Sequence, residues 1–331
     1  MGKVSLPGEK YGIHLITVKL PVGGIGVNVY LVEDPVPTLI DAPPAGEACL
    51  KALREGMEPL GYAVEDIKRI IVTHPHFDHF GLARTIAEKS GAEVWVSGGG
   101  AHWVEDFEGE RKNQEDYRRR FLLELGVEAP DIECSMEFYD RASGFGQETK
   151  VSRRLKEGDE FTLASRVFAV AEVPGHSPWC LIIHDTDNTF AFTGDFLSEG
   201  VASNPLIQWI DIARPASSLR TYIFSLEKIR AMGLKMAFPG HGEMISRPSR
   251  LIDDSLTAIG KRRQAILAIL KSGRQTPVAI ARRLFPKLPR AALYRAVSDV
   301  MSHLGMLEEE GLAKREEGIP VYFSHAGQGA K

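Results

Sequence analysis

The sequence predicts an α/β fold followed by a smaller, mainly helical C-terminal domain, and three observations predict it. Short apolar runs alternate with amphipathic stretches of helical period through residues 10–246. After Pro248 that alternation stops, and three helical stretches precede a two-stranded ribbon. Charge divides at the same place. Residues 250–331 hold 14 Lys and Arg against 8 Asp and Glu, a net +6, which leaves the first 249 residues at −10 within a chain total of −4. An acidic body with a basic tail fits two modules, residues 1–248 and 249–331.

A chain of 331 residues suits two domains of ordinary size. Hydrophobic residues at 44% and charged residues at 25% match a globular chain, which excludes collagen-like, disordered and disulfide-scaffold classes. No run approaches the ~20 apolar residues of a membrane-spanning helix, and the opening residues lack the apolar core of a signal peptide. Cys49, Cys134 and Cys180 form no Cys-x-x-Cys pair, so neither a disulfide framework nor a thiolate zinc knuckle is expected. The expected location is the cytoplasm, with no membrane partner.

Element by element, residues 14–20, 27–32 and 38–40 read as short strands broken by Gly and Pro. Leu50, Leu53, Met57 and Leu60 recur at spacings of 3, 4 and 3 and mark one face of a helix between Gly46 and Gly61. Residues 69–73 form an apolar run short enough for a buried strand, followed by a helix over 81–89 and a strand over 93–96. Residues 102–150 break the alternation: polar, dotted with aromatics and helical around 117–125, they read as an insertion. Strands resume at 166–173, 180–184 and 189–192, then a helix over 218–232 and a strand over 235–238.

In the tail, Thr276-Pro277 supplies an N-cap and a proline at the first helical position, which starts the second helix. The third carries Leu293, Val297, Val300, Met301 and Leu304, with Gly305 placed to end it. Residues 312–316 and 321–324 read as a β-wing, making 249–331 a winged helix.

The chemistry concentrates in Thr73-His74-Pro75-His76-Phe77-Asp78-His79. Four metal-competent side chains fall within six residues, and a loop at a strand's C-terminal end can turn all four toward one point. Neutral imidazoles and carboxylates suit borderline divalent cations: Zn first, with Fe or Mn as alternatives. Pro174-Gly175-His176 and Pro239-Gly240-His241 each follow a strand, with a glycine where the backbone bends to aim the ring. Thr193-Gly194-Asp195 repeats the arrangement with a carboxylate.

These motifs resemble the metallo-β-lactamase superfamily over residues 10–246. His74, His76, Asp78 and His79 correspond to its HxHxDH signature, and His176, Asp195 and His241 to its later ligands. The resemblance implies a four-layer αββα sandwich with the site between two sheets and two divalent metal ions. It assigns one metal to His74, His76 and His176 and the other to Asp78, His79 and His241, with Asp195 bridging. Asp41, at the end of the third strand, matches a family aspartate that orients a ligand histidine from behind; helix capping is the competing reading. The implied chemistry is hydrolysis by a hydroxide shared between the cations, with Asp78 as the catalytic residue that orients it while serving as a ligand.

Two departures narrow the class. A histidine stands second in the signature where the flavodiiron oxidoreductase variant has glutamate, and Asp195 stands where many zinc β-lactamases carry cysteine. Glyoxalase II shares the ligand set, but its glutathione-binding C-terminal helices are replaced here. Residues 192–201 and 237–245, together with the tail, look most like the lactamase-β-like protein 2 subgroup.

The leading expectation is a dinuclear hydrolase of a small-molecule ester, thioester or lactone. The alternatives are an endoribonuclease on single-stranded RNA and a nucleic-acid-binding regulator with a metal-sensing site. An acidic body attracts polyanions poorly, and a complete ligand set exceeds what a pure binding module needs. Glu308-Glu309-Glu310, Glu316 and Glu317 oppose a DNA-gripping wing. The tail is therefore expected to dock on the body, where it helps wall the cleft or forms a homodimer contact. His102, Trp103, Tyr117, Phe121 and Phe138 read as packing for the insertion ahead of pocket walls, and Arg118-Arg119-Arg120 as a solvated helix face.

Overall fold

Strand alternation decides which layer each side chain joins. In the computed structural model, which describes residues 8–327 apart from 22–23, 25, 199–206, 208, 212–213 and 216–218, β1 (Ile13–Lys19), β2 (Gly26–Val32) and β3 (Thr38–Ile40) form an antiparallel meander. The parallel strands β4 (Arg69–Ile71), β5 (Glu93–Ser97) and β6 (Arg153–Leu155) extend it to six. Along β2, Val27, Val29 and Leu31 face one core while Tyr30 and Val32 face another, the two-residue period of a strand. The first core is closed by α1 (Glu47–Met57), the short α2 (Phe77–Phe80) and α3 (Ala83–Ser90), through Leu50, Leu53, Met57, Phe80, Ala83 and Ile86.

The second sheet runs β13-β10-β9-β8-β7. Its members are β7 (Glu160–Leu163), β8 (Arg166–Glu172), β9 (Leu181–Asp185) and β10 (Phe190–Gly194), then, beyond the hairpin of β11 (Trp209–Asp211) and β12 (Arg214–Pro215), β13 (Met236–Pro239). Phe190 and Phe192 point inward against Phe168, Phe238 and Ile71, while Ala191 points outward. Fully burying side chains of this size stabilises by about 1.5–3 kcal/mol each. Three helices, α4 (Ala101–Glu105), α5 (Phe107–Glu124) and α6 (Ala129–Ser143), lie in the insertion. The outer face of the second sheet is covered by α7 (Leu219–Met232) and the start of α8 (Pro248–Lys271). The layers are helix, sheet, sheet, helix. No helix among the described residues is long and apolar enough to cross a membrane.

The C-terminal residues form α8, α9 (Pro277–Leu284), α10 (Leu293–Glu309) and the antiparallel pair β14 (Ala313–Glu316) and β15 (Tyr322–His325). Thr276 caps α9, its Oγ1 accepting from Ala279 N at 3.2 Å. Gly305 does not end α10. The helix runs on through the fully buried Leu307 to Glu309, and Gly311 makes the turn at φ 69°; burial of one more apolar residue outweighs the modest helix cost of a glycine. The expected helix start at Ser218 lies outside the described residues.

Insertion and tail share a single core. Phe121, Leu122, Leu125, Ile132 and Met136 pack with Ile266, Leu270, Val278, Tyr294, Val297 and Phe323. Val321 N donates to Glu124 O at 3.0 Å, and Arg282 and Arg290 both pair with the buried Asp131, at 2.8 and 2.9 Å. The contact is therefore mainly apolar, with ion pairs at its edge.

Candidate metal centre

The expected site residues lie just beyond the C-terminal ends of strands, with Asp78 and His79 on the short helix α2 that follows the loop after β4. Asp41 follows β3, His74 and His76 lie on the loop after β4, His176 follows β8, Asp195 follows β10 and His241 follows β13. These ends converge at one edge of the sandwich and bring two donor groups together: His74, His76, His176 and Asp195, and Asp78, His79 and His241.

In the first group His76 Nδ1 faces His74 Nε2 at 2.9 Å and His176 Nε2 at 3.0 Å. Asp195 Oδ2 stands 4.0 Å from His74 Nε2 and 3.6 Å from His176 Nε2. In the second, Asp78 Oδ2 is 3.7 Å from His79 Nε2 and 3.3 Å from His241 Nε2. Asp195 reaches this group too, Oδ1 lying 3.3 Å from His79 Nε2 and Oδ2 3.4 Å from His241 Nε2. Donors bound tetrahedrally at about 2.0–2.1 Å are separated by roughly 3.3 Å, so the spacings suit cations. His79 Nε2 and Asp195 Oδ1 are buried with no hydrogen-bond partner, a costly state for polar atoms that a cation relieves. The donor set and these orphaned atoms fit divalent metal.

The backbone side of the rings fixes which nitrogen carries the lone pair. Asp41, 2% exposed and at φ 64°, accepts from Thr73 N at 2.7 Å, Thr73 Oγ1 at 2.9 Å and His79 Nδ1 at 2.8 Å. Thr73 Oγ1 in turn lies 3.2 Å from His74 Nδ1. One carboxylate thus orients a histidine of each group, leaving Nε2 of both as donors. The side-chain bonds of Asp41 run to Thr73 and His79, and among the described residues no helix terminus is capped by it. His241 Nδ1 donates to Gly26 O at 2.7 Å. Sequence reasoning missed Thr73, although it directly precedes His74. It also missed Asn28, whose amide donates to Pro239 O at 3.0 Å and Gly242 O at 2.8 Å and clamps the His241 loop.

Glycine does something other than bend the chain. A Cβ on Gly240 would come within 2.5 Å of Asp195 Oδ1 and 2.6 Å of His79 Cε1. The residue is small because it lines the donor cluster.

Electrostatics separate the two groups. Burial pushes His74 well below the usual imidazole value, with the His79 and His76 charges adding to it. Burial likewise lowers His76, to about 3, and His176, to about 4, so these rings are neutral and their lone pairs are available. Burial acts the same way on His79 and His241, but Asp195 above all overrides it, raising His79 well above the usual value and His241 to about 10. Asp195, although burial opposes ionisation, is held well below the usual carboxylate range by His79 and His241.

The aromatic candidates mostly pack. Trp103 lies 5.2 Å from Trp179, and Phe121 belongs to the core shared with the tail. Phe138 meets Tyr139, and His102 stands edge-on to Trp179. Arg119 pairs with Glu133, while Arg118 stacks on Tyr139.

The family model described as "Metallo-beta-lactamase superfamily" matches residues 22–241. The probable metallo-hydrolase YqjP of Bacillus subtilis (strain 168) is 28% identical over 318 residues, spanning 93% of this chain and 96% of its own. The acyl-coenzyme A thioesterase MBLAC2 of Homo sapiens is 26% identical over 246 residues, 70% of this chain and 78% of its own. The crystal structure of a metallo-beta-lactamase family protein from Thermus thermophilus superposes with a TM-score of 0.77 at 24% identity, covering 95% of this chain and 98% of that one.

Proposed function

The chain belongs to the metallo-beta-lactamase superfamily and is a metal-dependent hydrolase, and from that premise we propose a dinuclear thioesterase acting on a small acyl substrate. The observation that carries the reading is Asp195, whose two carboxylate oxygens lie within 4 Å of donors in both groups. His74, His76 and His176 would hold one divalent cation, zinc first, and Asp78, His79 and His241 the other, with Asp195 shared. Such cations, when bound, lower the pKa of water and polarise a scissile carbonyl. Asp78 Oδ2 points between His79 and His241, where it can accept a proton from the attacking water and hold that water in line. Asp41 keeps His79, and through Thr73 also His74, from rotating as charge develops.

A thioester is favoured over other acyl substrates because a relative spanning 70% of the chain is named as an acyl-coenzyme A thioesterase. Residues 249–331 we read as a winged helix-like domain used for docking. Arg282 and Arg290 spend their charge on Asp131, so two of the bases that would grip phosphate in DNA are already paired.

The test is metal content together with turnover of thioesters, lactones and short RNAs by Zn-, Mn- and Fe-loaded protein. Two ions per chain and thioester hydrolysis are expected, with Asp195→Ala losing the second ion and most of the activity. One tightly bound ion, undisturbed by Asp195→Ala, would overturn the dinuclear reading. Cleavage of unstructured RNA without thioester turnover would overturn the substrate.

A further inference from the structure

We propose that Trp179 is a positioning residue: it anchors the turn carrying His176 in the core of the first sheet and so fixes where that ring aims. The assignment of His176 to one of two ions rests on the dinuclear reading above.

The donors His74, His76 and His176 come from different sheets. His74 and His76 follow β4 of the first sheet, and His176 follows β8 of the second. Their loops must be held in register, since a metal site needs its donors placed within about 0.5 Å. For three donor rings a contact behind the ring contributes. His74 Nδ1 meets Thr73 Oγ1, His79 Nδ1 meets Asp41 Oδ2, and His241 Nδ1 meets Gly26 O. His176 differs. Its Nδ1 is buried without a hydrogen-bond partner, so the aim of the ring depends on the backbone that carries it.

That backbone is a tight turn. Gly175 N donates to Ser177 O at 3.0 Å, Ser177 N to Cys180 Sγ at 3.3 Å, and Leu181 N to Thr73 O at 2.8 Å. The three residues that leave the turn go to three different cores. Cys180 packs outside the second sheet and Leu181 between the sheets. Trp179, 9% exposed, joins the core that α1, α2 and α3 close over the first sheet. It is thus the side chain that crosses from the sheet of His176 to the layer of His74 and His76.

There its ring lies 5.2 Å from that of Trp103. A Cβ on Gly99 would come within 2.7 Å of Trp179 Cδ1. One on Gly100 would lie 3.0 Å from Trp179 Cβ and 3.3 Å from Pro75 Cγ, and Pro75 is the residue between His74 and His76. Trp179 and the His74–His76 segment therefore press on the same stretch of backbone. That stretch is itself fixed, Gly98 N donating to Leu155 O at 2.7 Å and Gly100 N to Ser97 Oγ at 3.2 Å. A large buried ring wedged against it resists displacement, and the resistance passes along the turn to His176.

The test uses the full chain loaded with cobalt(II), whose visible absorption reports the number and geometry of its donors. Affinity is read by chelator competition, and His176→Ala marks which ion His176 holds. Trp179→Ala should weaken that ion by roughly tenfold or more and shift its absorption, leaving the other ion unchanged. Trp179→Phe, which keeps a ring in the core, should restore most of the affinity and the wild-type spectrum. Leu53→Ala, at a fully buried position of the same core, controls for lost stability and should lower the melting temperature without altering the spectrum. Wild-type affinity and spectrum in Trp179→Ala, equal weakening of both ions, or the same spectral change in Leu53→Ala would overturn the positioning role. If Trp179→Ala fails to fold, Gly99→Ala decides, because its methyl pushes the indole without emptying the core; wild-type affinity and spectrum there would overturn the role. A wild-type chain that binds one ion would remove the dinuclear reading, and comparison with His176→Ala would still decide the role of Trp179.

Discussion

Replacing Asp41 by Asn tests whether a single buried carboxylate governs both donor groups. The substitution preserves shape, and Asn tolerates the left-handed backbone found at φ 64°. Asn Oδ1 can still accept from Thr73 N, replacing the 2.7 Å bond. The amide nitrogen, however, takes the place of Oδ2, which accepts from both Thr73 Oγ1 and His79 Nδ1. Thr73 can rotate its hydroxyl to accept instead. His79 must then accept at Nδ1, which moves its proton to Nε2, the atom facing Asp78 and Asp195. A protonated nitrogen has no lone pair for a cation. Loss of such an orienting partner reduces metal affinity by about 10- to 100-fold, or roughly 1.4–2.7 kcal/mol. Competition with a graded series of chelators measures this directly. On the proposed dinuclear arrangement, the ion assigned to Asp78, His79 and His241 should be lost first, because His79 belongs to that group and His74 is oriented only through Thr73. Wild-type affinity for both ions in Asp41→Asn would refute the tautomer argument.

Gly240→Ala should also cost metal, because its Cβ would lie 2.5 Å from Asp195 Oδ1; overpacking of this kind costs about 1–3 kcal/mol, and full metal content with an unchanged melting temperature would contradict it. His303, buried in the tail core and lowered to about 4 by burial with the Arg262 and Arg263 charges adding to it, should make stability fall in acid. Its folded value lies below its unfolded one, so the contribution is complete above about pH 6.5 and is lost as pH falls toward 4, by up to about 3 kcal/mol; denaturant titrations should show a shallower decline in that window for His303→Leu, and an identical slope would count against it. Removing residues 251–331 should expose Phe121, Leu122, Leu125 and Ile132, lowering the melting temperature and opening α5 and α6 to proteolysis; an unchanged melting temperature and substrate profile would refute the shared core.

The donor cluster was legible because each part is local. An apolar strand, then a short polar motif at its end, is a pattern within ten residues, and four such patterns announce a common edge of the sheets. The sandwich was legible for the same reason, since the alternation along β2 and β10 is written residue by residue. What stayed hidden depends on contacts across the chain. Nothing near residues 102–150 indicates that Leu122 and Met136 are covered by α9 and α10, more than 100 positions away. The strands β6 and β7 are short and polar enough to read as loop, and β6 is held by register against β5 instead of by its own composition. Gly305 misled because a helix stop was read from one residue, while Leu307 and its burial decide where α10 ends.

Glycine in the Gly-His pair teaches a related lesson. Sequence assigns it conformational freedom, a property of the residue itself. The structure assigns Gly240 emptiness, a property of what surrounds it: the space that a methyl would occupy is taken by Asp195 and His79. The same kind of reasoning explains why Thr73 escaped notice beside the histidines. Its hydroxyl holds no cation, yet it relays the orientation of Asp41 to His74. The two donor groups, each legible as a motif, are therefore coupled twice, once in front through Asp195 and once behind through Asp41. A substitution that loosens either carboxylate should disturb both groups, whereas one confined to His76 or His241 should disturb its own group first.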